Sequence, residues 1–179
     1  MKNQVKRLSS EYLFRGKILN LRRDTVLLPN NKEAFREIVE HSGAAACLVL
    51  TEKHNLFFVR QFRAPYGKEV LELPAGKVEV GEDPEATIIR ELQEEVGVKP
   101  LTIEKVGIIY PSPGYTNEII HLYFTDNYER VALNSDEDEF LDILELPVGE
   151  AFKMLAEGKL VDAKTVCLLL RCKGKLMGE

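Results

Sequence analysis

Glu91, Glu94 and Glu95 crowd into one short stretch, Arg90-Glu91-Leu92-Gln93-Glu94-Glu95. On a helix, residues three and four apart lie side by side. Glu91 would then share a face with both Glu94 and Glu95. Like charges so close repel, and Arg90, which can pair with Glu94, does not neutralise the patch. Hard divalent cations, which take oxygen ligands, are its natural complement. A plain solvated acidic helix is the other reading of these residues alone. The preceding loop adds to the first reading. Gly76 and Gly81 permit a tight turn after Leu73-Pro74-Ala75, and Glu82 sits near the helix start. Glycine at 76 can leave a backbone carbonyl, such as that of Ala75, able to reach a cation.

The elements that must hold these groups can be read outward from the patch. The spacing predicts a helix over 84–96, with Asp83 as N-cap, Pro84 in the first position and Gly97 ending it. Ile88, Ile89, Leu92 and Val96 form its apolar face, directed at a core. A short strand at 70–73 stops at Pro74. An apolar strand at 44–50, the turn Glu52-Lys53-His54-Asn55 and a strand at 56–63 read as a hairpin. Strands are expected at 14–19, 21–28 and 35–40, and again at 103–110, 119–125 and 140–146. Helices are expected at 148–157 and 163–172, separated by Gly158. This is an α+β pattern. The chain divides into an N-terminal β region, 1–42, and a main domain, 43–179.

Composition sets the outer limits. Of 179 residues 45% are hydrophobic and 30% charged, enough apolar material for a real core. A net charge of −5 argues against a nucleic-acid polymer as partner. No apolar run approaches the roughly 20 residues of a membrane span. No signal peptide is expected from the N-terminal residues. Cys47, Cys167 and Cys172 are few and unclustered, which fits a reducing cytoplasm better than a disulfide framework. No G-x-x-x-x-G-K-[ST] loop is present, so phosphate binding should run through metal. His41, His54 and His121 are too scattered for a metal site and take no catalytic role here.

Taken whole, Gly76, five residues, Glu82, seven residues, then Arg90-Glu91-Leu92-Gln93-Glu94-Glu95-Val96-Gly97-Val98 matches the Nudix box. The chain therefore resembles the Nudix hydrolases. The resemblance implies a nucleoside diphosphate derivative as substrate, an activated water, and Mg²⁺ or another divalent ion such as Mn²⁺. It also implies an α/β/α sandwich around a mixed sheet. Within the family the chain is similar to ADP-ribose pyrophosphatases. Arg36-Glu37-Ile38-Val39, His41-Ser42-Gly43-Ala44, Gln61-Phe62-Arg63 and Leu71-Glu72-Leu73-Pro74-Ala75-Gly76 carry that likeness. So do Pro113, fifteen residues after Val98, and the stretch Gly158-Lys159-Leu160-Val161-Asp162-Ala163-Lys164-Thr165.

The resemblance implies roles residue by residue. Glu91 and Glu95 would be the main metal ligands, with the Ala75 carbonyl a further one and Glu94 sharing a metal or orienting a ligand. Glu82 would support the metal's water shell, and Arg90 would orient the glutamates. The general base would lie on the loop Ser135-Asp136-Glu137-Asp138-Glu139-Phe140, with Glu137 as base and Glu139 as an extra metal ligand. A two-residue slip exchanges those two, and by composition alone the run reads first as a solvated loop. Arg63 would meet a phosphate or the terminal ribose. Arg36 would stack on adenine and Glu37 accept from its amino group, or both are simply exposed strand residues. Gly114 and Glu118 would contact substrate, Glu118 through a ribose hydroxyl. Tyr115 would be a stacking face or a loop anchor. The N-terminal strands would join a homodimer. Two alternatives stay open: a nucleotide sugar or dinucleotide as substrate, or a sensor that binds ADP-ribose without cleaving it.

Overall fold

The structure is a computed structural model, and it describes residues 4–133 and 141–178. In chain order the elements are β1 (Lys6–Arg15), β2 (Asn20–Leu27), β3 (Glu33–Glu40), β4 (Ala44–Val49), β5 (Asn55–Arg63), a 3₁₀ turn (Ala64–Tyr66), β6 (Lys68–Glu72) and β7 (Ala75–Lys77). There follow α1 (Pro84–Val96), β8 (Val98–Pro100), β9 (Glu104–Ile109), β10 (Ile120–Thr125), β11 (Tyr128–Arg130), β12 (Asp142–Pro147), α2 (Val148–Ala156), α3 (Ala163–Arg171) and α4 (Lys173–Met177).

The chain forms two compact units. Met1–Gly43 with Tyr110–Ile119 is one, and Ala44–Ile109 with Ile120–Glu179 is the other. In the first, β1, β2 and β3 make an antiparallel sheet in that order. The loop 110–119 joins its end: Val39 N donates to Tyr115 O at 2.8 Å, and His41 N donates to Asn117 Oδ1 at 2.9 Å. Here the first expected strand moves. It runs from Lys6 to Arg15, not over 14–19, and Gly16 N closes the following turn on Leu19 O at 2.9 Å. Pairing with β2 draws in residues whose own pattern gives little sign of a strand. Every β1 residue is solvent-exposed, so no buried face imposed an alternation on it.

The second unit is an α/β/α sandwich. Its mixed sheet is ordered β7-β4-β10-β9, with β4 and β10 parallel and both outer pairings antiparallel. An antiparallel sheet β12-β5-β6 and the small β11-β8 pair complete it. β4 explains the layering. Ala45, Cys47 and Val49 pack with Ile88, Leu92 and Val96 of α1. Ala46 and Leu48 pack in a separate cluster with Ala151 of α2 and Leu168 and Leu169 of α3. A strand covered on both faces needs apolar residues at every position, and the run at 44–49 meets that need.

The expected hairpin of residues 44–50 with 56–63 does not form. β4 and β5 lie in different sheets, with an isolated antiparallel bridge between Leu50 and Leu56. β5 pairs instead with β12 and β6. The two runs are both apolar and close in sequence, but each is covered by a different neighbour. The short strands β7, β8 and β11 and the last helix, α4, were not anticipated. They are three to five residues long, too short to carry a period.

Candidate active site

α1 begins and ends where its sequence dictates. Asp83 has extended N-cap geometry and Pro84 follows at the first position, although the Asp83 side chain makes no capping bond. Gly97 closes the helix at φ 62° with its amide donating to Leu92 O. Thr87, Ile88, Leu92, Glu95 and Val96 are buried, while Ile89 is only half-buried. Thus Glu95, and not Ile89, completes the inward face. It is 3% exposed, and its Oε2 accepts from Ala75 N at 3.0 Å.

That bond brings the loop of the box onto the helix. Gly76 lies so close to α1 that a Cβ there would overlap Cδ and Oε1 of Glu91. Only glycine leaves room for the Glu91 carboxylate at this crossing. Arg90 binds the rest of the patch. Its Nη1 donates to Glu91 Oε1 and Glu94 Oε2, each at 2.9 Å, and its Nε and Nη2 reach Glu82 at 3.3 and 3.4 Å. Burial alone would lower the Arg90 pKa, but the hydrogen bonds to Glu82 and Glu94 and the charge of Glu91 raise it overall. The Arg90 hydrogen bond in turn leads the forces that hold Glu82 below its ordinary value. Ala75, Gly76, Glu82, Arg90, Glu91, Glu94 and Glu95 therefore come together as the sequence implied.

Among the described residues, no three His, Cys, Asp or Glu side chains already converge as a cage for an ion. Arg90 pairs with Glu82, Glu91 and Glu94. The donors nevertheless suit a hard divalent cation. They are carboxylate oxygens on one helix face, and the cradle at Gly76 opens beside Glu91.

The other expected site residues fall in several places. Arg63 makes a two-pronged pair with Glu72, Nε to Oε1 at 2.6 Å and Nη2 to Oε2 at 2.7 Å. Arg36 and Glu37 stand exposed on β3, and Arg36 Nη1 donates to Phe35 O at 2.8 Å. Gly114 and Tyr115 are exposed in the 110–119 loop, and Glu118 lies 3.7 Å from His41 Nδ1. Gly114, Tyr115 and Glu118, with Arg36 and Glu37, belong to the first unit. Glu137 and Glu139 lie outside the described residues. Sequence reasoning gave no role to Glu72, Lys164 or Thr165, although Lys164 pairs with the buried Glu72 and Thr165 Oγ1 accepts from Leu73 N at 2.9 Å. A glutamate inside the apolar run Val70-Leu71-Glu72-Leu73 was the available signal.

Known proteins resemble the chain over most of its length. Residues 40–169 match the NUDIX domain, and residues 5–39 match the nucleoside diphosphate sugar hydrolase N-terminal domain. A protein named methanol dehydrogenase activator from Bacillus methanolicus is 41% identical over 165 residues, covering 91% of this chain and 89% of its own. A protein named ADP-ribose pyrophosphatase from Bacillus subtilis (strain 168) is 39% identical over 164 residues, covering 90% and 89%. A solved structure described as an ADP compounds hydrolase superposes with a TM-score of 0.83 at 19% identity. It covers 99% of this chain and 96% of its own, and so bears on the fold. With its box complete, its sandwich matched and most of its length aligned, the chain belongs to the Nudix family of hydrolases.

Proposed function

We propose that this hydrolase is a Mg²⁺-dependent pyrophosphohydrolase that cleaves ADP-ribose to AMP and ribose 5-phosphate. The observation that carries the proposal is the closure of Ala75 and Gly76 onto Glu95 and Glu91. It sets a backbone turn and several carboxylates at one place, a donor set that would suit a divalent cation. The relative named ADP-ribose pyrophosphatase, at 39% identity, supports the choice of substrate.

Mg²⁺, or Mn²⁺ in its place, would supply charge neutralisation of the diphosphate and polarisation of phosphorus. Glu91 and Glu95, with the Ala75 carbonyl, would hold it, and Glu94 would share in that task. Arg90 keeps the glutamates oriented, and Glu82 keeps Arg90 in place. Glu137 would take a proton from the attacking water, and Glu139 would add a further carboxylate to the metal's ligands. The water oxygen bonds to one phosphorus as the bridging P–O bond breaks, and the displaced phosphate leaves as the second monoester. Arg63, already oriented by Glu72, offers its remaining N–H donors to a phosphate or the terminal ribose. Arg36, Glu37, Gly114 and Glu118 would contact the nucleoside and ribose.

The match of residues 5–39 to a nucleoside diphosphate sugar hydrolase domain favours one second reading, a nucleotide sugar as substrate. Exposed apolar residues on β1, among them Leu8, Tyr12 and Phe14, support a homodimer built through the N-terminal region, residues 1–42, with the hydrolase domain following over 43–179. A monomeric mass in solution would remove that part. The free thiols of Cys47, Cys167 and Cys172 suit the cytoplasm. Incubation with Mg²⁺ and a panel of ADP-ribose, dinucleotides and nucleotide sugars, with products identified, tests the substrate. AMP and ribose 5-phosphate should dominate. Cleavage confined to nucleotide sugars would replace the reading.

A further inference from the structure

A ring of directed bonds lies behind the turn that carries Ala75 and Gly76. Glu72, at the end of β6, is buried, and Arg63 grips both of its oxygens. Lys164 Nζ pairs with Glu72 Oε2 and also lies 3.0 Å from Asp162 Oδ1. Asp162 caps α3, its Oδ2 accepting from Thr165 N at 3.0 Å and from Thr165 Oγ1 at 2.7 Å. Thr165 Oγ1 then accepts from Leu73 N at 2.9 Å, which returns the ring to the residue after Glu72.

Stability alone gives little reason for this construction. Buried ion pairs lose about as much in desolvation as they gain, and apolar side chains could fill the same space. What apolar side chains cannot do is fix the direction of a backbone amide. From here each residue is anchored in turn. Glu72 is held by its side chain and Leu73 by its amide. Pro74 O accepts from Cys47 N at 3.0 Å, Ala75 N donates to Glu95, and Gly76 abuts Glu91. The first two anchors come from α3, ninety-two positions along the chain.

We infer that Thr165 and Lys164, set by Asp162, are positioning residues that fix the Leu73–Pro74–Ala75–Gly76 backbone against Glu95 and Glu91. They touch no substrate. They act through the turn that carries Ala75 and Gly76, the residues set against Glu95 and Glu91. The inference rests on the proposed metal role of the box, and it concerns residues outside the box.

Thr165→Val keeps the side-chain shape and removes the hydroxyl that receives Leu73 N. In metal-free protein, amide exchange at Leu73 and Ala75 should quicken while amides of β4 and β10 keep their rates. Mn²⁺ affinity should fall about tenfold, the scale on which partners behind metal ligands act. Turnover of ADP-ribose should fall by a similar factor with KM changed less than about twofold, and Thr165→Ser should restore all three. Lys164→Met, which leaves the hydroxyl in place, should weaken Mn²⁺ binding in the same direction and guards against a folding failure of the valine variant. Unchanged Mn²⁺ affinity in both variants would overturn the inference. So would a serine variant as impaired as the valine one, or exchange that rises evenly across the whole unit. Wild-type protein that binds Mn²⁺ but cleaves no nucleoside diphosphate would overturn the proposed function, and the inference would then be decided by Mn²⁺ affinity and amide exchange.

Discussion

The amide of Ala75 donates to Glu95 Oε2 across 3.0 Å, joining the turn after β6 to the buried face of α1. A carboxylate only 3% exposed is costly to desolvate without a partner. The amide satisfies one oxygen and leaves the carboxylate at the edge of the acidic patch. The bond thus links the packing of α1 to the chemistry of the box.

Glu95→Gln should fold normally, because the glutamine side-chain oxygen can still accept from Ala75 N. With its charge gone, kcat on ADP-ribose should fall at least about a hundredfold, beyond the usual effect of a partner one step removed from the ion. Circular dichroism and steady-state rates on the same preparation separate folding from chemistry. A variant with full activity would remove Glu95 from the metal site.

Gly76→Ala should act through Glu91. The new Cβ would occupy the place of the Glu91 carboxyl, so that side chain must swing away. Mn²⁺ affinity and turnover should each drop roughly tenfold to a hundredfold. The midpoint of thermal unfolding should change far less than after a core truncation, because Gly76 is only half-buried. Wild-type affinity in this variant would show that Glu91 does not need the cradle.

The helix and the turn were readable because their signals are local. Asp83-Pro84 and Gly97 bracket α1, and the positions of Ile88, Leu92 and Val96 repeat along it. The sheet to which β5 belongs was not readable in the same way. Its partners in β12 lie more than eighty residues away, and nothing within 55–63 distinguishes β12 from β4 as a neighbour. The Glu72–Lys164 pair was hidden for the same reason, being ninety-two positions apart. The resemblance implied a metal-ligand role for Glu95, but its burial was not foreseen, since a glutamate beside an apolar face looks from sequence like a solvated one.

Acid should weaken the fold through Glu72. Burial pushes its carboxyl up, but the Arg63 hydrogen bonds and the Lys164 charge outweigh burial and hold it below the ordinary 4.5. A lowered carboxyl stabilises the fold above its unfolded value, and that gain is lost as pH falls through the folded value. Glu72→Gln should therefore cost about 2 kcal/mol at neutral pH. The difference from wild type in urea unfolding should shrink steadily below pH 4.5. A gap that is constant from neutral to acid pH would contradict the ionised state of Glu72.

Glu137 and Glu139 can be told apart by chemistry. Glu137→Gln should slow the chemical step about a hundredfold or more with Mn²⁺ affinity retained, as loss of a general base does. Glu139→Gln should weaken Mn²⁺ binding instead. The reverse pattern would exchange the two roles, and no effect of either on single-turnover rates would place the base elsewhere.

The central claim is that the carboxylate face of α1 works by holding a divalent cation against a diphosphate. The most direct measurement is the release of AMP and ribose 5-phosphate from ADP-ribose by metal-stripped protein as Mg²⁺ is titrated back, for wild type and Glu95→Gln together. Wild-type activity should be absent without the ion and rise to saturation with it, while the variant stays near background at every concentration. Equal saturating rates in the two proteins, or wild-type cleavage that persists without any divalent ion, would contradict the account.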